Sequence, residues 1–134
     1  MRKKILIVED DEAQRRMLKI ALEREGYTVV TALAGQNALV YGELSHPDLI
    51  LLDIMLAGHM DGLEVLSKFK ASHGIASTPI IMMSALSDEA RIQYAREVGA
   101  VDYVTKPYEL SDLLMRVHSA LASRQSSCPG KLVG

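Results

Sequence analysis

Five residues of this chain stand where short apolar runs stop: Glu9 and Asp10 after residues 5–8, Asp53 after 49–52, Ser84 after 79–83 and Lys106 after 101–104. Three carboxylates with no His or Cys among them form a hard oxygen donor set. They cannot crowd together ionised without a cation, and magnesium suits them because it accepts few protein ligands and keeps its waters. A hydroxyl and an ammonium opposite such a metal meet the needs of a phosphoryl group, whose non-bridging oxygens must be neutralised from several sides. Asp53 is then the candidate nucleophile, because an aspartyl phosphate is an established type of covalent intermediate.

This chemistry requires all five residues to share one edge of a sheet. The run Leu49-Ile50-Leu51-Leu52 has no period-2 alternation, which marks a strand buried on both faces at the centre of a parallel sheet. Residues 5–8 form a similar strand. Residues 12 to about 25 place Ala13, Met17, Leu18, Ile20, Ala21 and Leu22 at helical spacing, with Gly26 as C-cap. A strand over 27–32, a helix over 35–45 and the break at His46-Pro47 lead into the central strand. Asp61 is the N-cap expected for a helix through about 71, with Leu63, Val65, Leu66 and Phe69 inward. A strand over 79–83 follows, then a helix opened by Ser87 and Asp88 and stopped at Gly99, a short strand over 101–104, and a helix from 109 to about 122. Strict βα alternation predicts an α/β fold, a doubly wound parallel five-stranded sheet, whose ligands gather at the carboxyl ends of the strands.

A chain of 134 residues fits one domain with a core of its own. Its 15 basic and 17 acidic residues give a net charge of −2, which offers no footprint for nucleic acid or an anionic membrane. The single cysteine, Cys128, cannot close an internal disulfide, and no Cys/His spacing suits zinc. The apolar run after Arg2-Lys3-Lys4 ends too soon, at Glu9-Asp10-Asp11, for a signal peptide. A reducing, cytoplasmic setting is expected. Residues 1–123 are expected to form the domain, and 124–134, polar with Pro and Gly, a tail, the start of a linker or an expression remnant.

Read together, V-E-D-D, L-D-I-M, S-A and K-P at four successive strand ends resemble the receiver (CheY-like) domain of two-component response regulators, from residue 3 to about 122. Each motif alone is weak, and an acid at a helix start or a strand-end turn has a plain structural use; the ordered set is specific. The resemblance implies a flavodoxin-like (βα)5 sheet of order 2-1-3-4-5. It also implies that Asp53 is the phosphoacceptor, that Glu9 and Asp10 join Asp53 and the backbone carbonyl of Met55 around Mg2+, and that Ser84 and Lys106 bind the phosphoryl group. Pro107 would follow a cis peptide that aims Lys106, and Tyr103 would be the aromatic partner of Ser84 in a switch altering the surface of the fourth helix, fifth strand and fifth helix.

The implied donor is a phosphohistidine of a sensor histidine kinase or phosphotransfer protein, and the implied reader a downstream effector protein or domain. A phosphorylation-dependent homodimer is a further implied partner. Such a domain supports its own phosphoryl transfer but turns over no separate substrate. Met55 and Leu86, both apolar, stand where the family flanks the path of the hydrolytic water, so self-dephosphorylation is expected to be slow.

Two departures stand out: D-I-M-L-A-G-H-M-D-G has Ala57 for the family's proline and one extra residue near His59, and Val101 replaces an acid common among winged-helix regulators. The altered loop leaves open a phosphorylation-independent pseudo-receiver module. A magnesium-dependent phosphatase using aspartyl phosphate fits less well, since Met55 stands where such enzymes need a second acid.

Overall fold

The computed structural model describes residues 2–56, 60–85 and 89–126, with side chains through Ser123. Ten elements alternate strictly: β1 (Lys4–Val8), α1 (Glu12–Arg24), β2 (Thr28–Ala32), α2 (Gly35–Ser45), β3 (Leu49–Asp53), α3 (Gly62–Ala71), β4 (Ile80–Ala85), α4 (Glu89–Val98), β5 (Asp102–Lys106) and α5 (Leu110–Ser126). The strands form one parallel sheet of order β2-β1-β3-β4-β5, as expected.

The sheet is wound on both faces because each strand sends alternate residues to opposite sides. Leu6, Val8, Ile50, Leu52, Ile80 and Met82 pack with Ala38 of α2, Val65, Leu66 and Phe69 of α3, and Ile92 and Ala95 of α4. Ile5, Ile7, Leu49, Leu51, Ile81 and Met83 pack with Leu18 and Leu22 of α1 and Leu113, Val117 and Leu121 of α5. Every residue of β3 is buried, which explains the unbroken apolar run.

Several boundaries differ from the sequence reading. β4 runs on through Ser84 to Ala85, and β5 begins at Asp102 and ends on Lys106. The cause is mutual pairing: Ser84 is in register with Thr105 and Ala85 with Lys106, so each strand extends the other. Val101 is exposed before the strand begins. In α1 only Leu18 and Leu22 are fully buried, while Met17 and Ile20 face solvent, because a helix laid across a sheet edge needs a narrower stripe than its apolar residues supply. α5 reaches Ser126, into the segment expected to be a tail. Gly26 and Gly99 adopt φ of 93° and 131° just past α1 and α4, and Asp61 caps α3 by accepting from the Glu64 N–H. Ser87 and Asp88, the expected opening of α4, lie outside the described residues.

Candidate functional site

The carboxyl ends of β1, β3, β4 and β5 meet where the strand order reverses, with β1 and β3 side by side at the centre. Glu9 and Asp53 are almost wholly buried there, at 1% and 3% exposure, while Asp10 is exposed. One oxygen from each of the three lies within 4.8 Å of the others. Lys106 donates from Nζ to Glu9 Oε1 at 2.9 Å and to Asp53 Oδ2 at 2.7 Å. The other Asp53 oxygen, Oδ1, accepts the Met55 N–H at 3.0 Å.

One ammonium thus serves two buried carboxylates, with a third acid close by. Burial pushes the Glu9 carboxyl up to about 7; the Lys106 hydrogen bond opposes the shift and the Asp53 charge adds to it. For Lys106 burial disfavours the charge, but bonds to Asp53 and Glu9 outweigh it and hold the pKa above the ordinary lysine value. Burial drives the Glu9 shift, and the bonds to the two carboxylates drive that of Lys106. Ser84 Oγ is buried and has no hydrogen-bond partner among the described residues, and the same is true of the Tyr108 hydroxyl two residues past Lys106. Buried hydroxyls usually find partners, and each orphan costs about 1–3 kcal/mol.

Backbone packing fixes the distances. Ile54 N–H donates to the Met83 carbonyl at 2.9 Å, and Gly62 N–H donates to the Ile54 carbonyl at 2.8 Å, bringing the start of α3 against the end of β3. A Cβ on Gly62 would lie 2.0 Å from the Asp53 carbonyl oxygen, so only glycine fits this approach. The acidic turn after β1 is held by Arg15, whose Nη1 donates to the Glu9 carbonyl at 3.0 Å and the Asp10 carbonyl at 3.3 Å. Asp11 caps α1 by accepting from the N–H groups of Ala13 and Gln14.

Residues 5–118 match the family of the response regulator receiver domain. The chain belongs to that family. As a receiver domain of the two-component type it stands among phosphorylation-activated signalling switches. It is 39% identical over 129 residues to the alkaline phosphatase synthesis transcriptional regulatory protein PhoP of Bacillus subtilis (96% of this chain, 52% of PhoP). To the DNA-binding response regulator MtrA of Mycolicibacterium smegmatis it is 39% identical over 121 residues (90% and 51%). It therefore spans about half the length of the curated relatives it matches. Among solved structures, the chemotaxis protein CheY4 of Vibrio cholerae superposes with a TM-score of 0.83 at 28% identity, covering 90% of this chain and 99% of that one. The receiver domain of NtrX from Brucella abortus gives 0.83 at 31%, covering 88% and 98%.

The receiver fold brings Glu9, Asp10, Asp53 and Lys106 together, places Ser84 one residue past Met83, the register partner of Asp53, and makes the Lys106–Pro107 peptide cis. Tyr103 is not in that cluster. Its partly buried ring packs on the α3/α4 side of the sheet with the Arg96 guanidinium 4.7 Å from its centroid. A groove of about 670 Å³ beside it runs between α4, β5 and α5, lined in part by Ile92, Tyr103, Pro107 and Arg116. Ala57, Gly58, His59 and Leu86, on which the loop departure and the hydrolysis expectation bear, lie outside the described residues. Sequence reasoning missed Arg15. The available signal was a cation in a first turn, where the helix dipole disfavours it unless it has other work.

Proposed function

We propose that the chain is a phosphorylation-controlled switch in which Asp53 accepts a phosphoryl group from a phosphohistidine of a sensor histidine kinase or phosphotransfer protein. An Asp53 carboxylate oxygen forms the new P–O bond, the P–N bond to the imidazole breaks, and the imidazole leaves with the electron pair. The observation that carries this reading is the sharing of Lys106 between Glu9 and Asp53 beside a third acid and an unpartnered Ser84 hydroxyl. It is a site with more acid than base and with a donor to spare.

The oxygen-only acidic cluster fits Mg2+, which Glu9, Asp10, Asp53 and the Met55 carbonyl would hold; the ion supplies charge neutralisation at the phosphoryl oxygens. Lys106 transfers its ammonium from the carboxylates to the phosphoryl group, and the Ser84 hydroxyl donates to a phosphoryl oxygen. Movement of Ser84 toward that group frees space for the Tyr103 ring, which alters the α4-β5-α5 surface read by an effector, or by a second copy in a phosphorylation-dependent homodimer. We assign this activity to residues 1–123, in the cytoplasm, and the output to protein contacts, since a net charge of −2 gives no basic footprint for nucleic acid. With Met55 exposed and apolar beside Asp53, self-dephosphorylation is slow.

Intact mass after incubation with acetyl phosphate and Mg2+ tests the reading. The expected result is one alkali- and hydroxylamine-labile phosphoryl group, absent from Asp53→Asn and from a chelator-treated control. A folded wild type that gains nothing would turn the assignment to the phosphorylation-independent module.

A further inference from the structure

The arginines of this chain differ in what they hold. Arg15 binds two backbone carbonyls, Arg116 binds Asp102 and Asp112, Arg16 pairs with Glu12, and Arg96 stacks on Tyr103. Arg91, in α4, has a partner of another kind: its Nη1 donates to the Met55 thioether sulfur at 2.7 Å, and like Arg15 and Arg96 it makes no ion pair among the described residues. A thioether is a weak acceptor, whereas a guanidinium is built for the paired oxygens of carboxylate or phosphate.

The location gives this unneutralised charge its meaning. Met55 is the residue whose own N–H donates to Asp53 Oδ1 at 3.0 Å, so Arg91 is two contacts removed from the phosphoacceptor. Lys106, a second cation at this edge, is already held by two acids. The Met55 side chain is exposed and the Arg91 guanidinium lies against it, whereas the Lys106 side chain is 23% exposed. A single positive charge there acts over several ångströms, within the Debye length of about 8 Å at physiological salt.

We propose that Arg91 is a specificity-determining residue at the mouth of the site, drawing in phosphodonors by charge and favouring those that carry a net charge of −2 over those that carry a net charge of −1. This rests on the phosphoacceptor reading of Asp53. With acetyl phosphate, a dianion at neutral pH, an Asp53 oxygen bonds to phosphorus, the P–O bond to the acetyl group breaks, and acetate leaves with the electron pair. With phosphoramidate, a monoanion already protonated on nitrogen, the P–N bond breaks and ammonia leaves.

The test compares second-order rate constants for phosphoryl uptake from these two donors, with Mg2+, at low and high ionic strength, for wild type, Arg91→Gln and Arg91→Lys. The expected result is a loss of about fivefold with acetyl phosphate and less than about twofold with phosphoramidate in Arg91→Gln, with the preference largely kept in Arg91→Lys. The salt sensitivity of uptake from acetyl phosphate should shrink in parallel in Arg91→Gln. An equal loss with both donors, as expected if Arg91 only props Met55, overturns the proposal, and so does no loss with either. A wild type phosphorylated by neither donor overturns the phosphoacceptor reading and this inference together; a wild type that is phosphorylated beside an Arg91→Gln with unchanged preference overturns the inference alone.

Discussion

Asp48 and Asp53 flank the same buried strand, one just before β3 and one at its end, and the fold treats them in opposite ways. Asp48 Oδ2 accepts the Lys4 N–H at 2.8 Å, its own N–H donates to the Lys4 carbonyl at 2.7 Å, and Lys4 Nζ is taken up by the Ser45 carbonyl. There the polar groups close on one another through the backbone. At the other end Asp53 shares Lys106 with Glu9, Asp10 stands close, and Ser84 keeps a buried hydroxyl unpartnered. A closed set of bonds ties two strands together; an unbalanced set has capacity for something that arrives. The same acid type on the same strand is structural or functional according to whether backbone absorbs its charge.

The sharpest way to break this comparison is to exchange the two acids' side chains for amides. Asp53→Asn should abolish phosphoryl uptake, whereas Asp48→Asn should keep it and lose about 1–2 kcal/mol of stability, read from urea unfolding. Uptake lost in both would erase the distinction. Next in size is the pair of lysines. Lys106→Met leaves two buried carboxylates without their cation and should cost about 3 kcal/mol in metal-free solution at pH 8, with much of it recovered on adding Mg2+. Lys70, which donates to the Ala76 and Thr78 carbonyls, is the counterpart: Lys70→Met should cost about 1 kcal/mol with no response to Mg2+.

A smaller effect is expected from Glu9, whose pKa lies at about 7 in the fold against an ordinary 4.5. Between those values the folded state binds the proton and the unfolded state does not, so this group's contribution to stability falls as pH rises toward and through 7. Glu9→Gln removes that loss. In metal-free solution it should leave the thermal midpoint nearly unchanged at pH 5 and raise it by about 3 °C at pH 8. A difference of the opposite sign at pH 8 would show that Lys106 fully compensates Glu9. Least of all should be the stability change in Ser84→Ala. Its hydroxyl has no partner among the described residues to lose, and relief of the orphaned group is offset by the small void left behind, so stability should stay within about 0.5 kcal/mol. A loss above ~1 kcal/mol would reveal a hydrogen bond and close the site's open account.

Much of this was legible in residue order. Strand alternation, the Asp61 cap, the stops at Gly26 and Gly99, and the position of every acid at a strand end follow from local chemistry; strand order and the assignment of roles came through the family resemblance. Sequence reading failed where a second chain segment decides the outcome. Ser84 and Lys106 read as residues past their strands, yet each lies inside because the other's strand pairs with it. Met17 and Ile20 have the right period for burial, yet both are exposed among the described residues. The division of one lysine between two acids, and the Arg15 and Arg91 contacts, depend on side chains meeting across loops, which spacing cannot encode.

Gly62 has a consequence for how this protein can vary. Because its backbone is pressed onto Asp53 and bonded to Ile54, the seven residues from Met55 to Asp61 leave and return to one fixed point. A residue added within such a ring lengthens the ring without displacing either anchor, at a closure cost on the order of 0.1 kcal/mol. Both anchors are backbone contacts, so they tie Asp53 to the start of α3 whatever side chains stand between them.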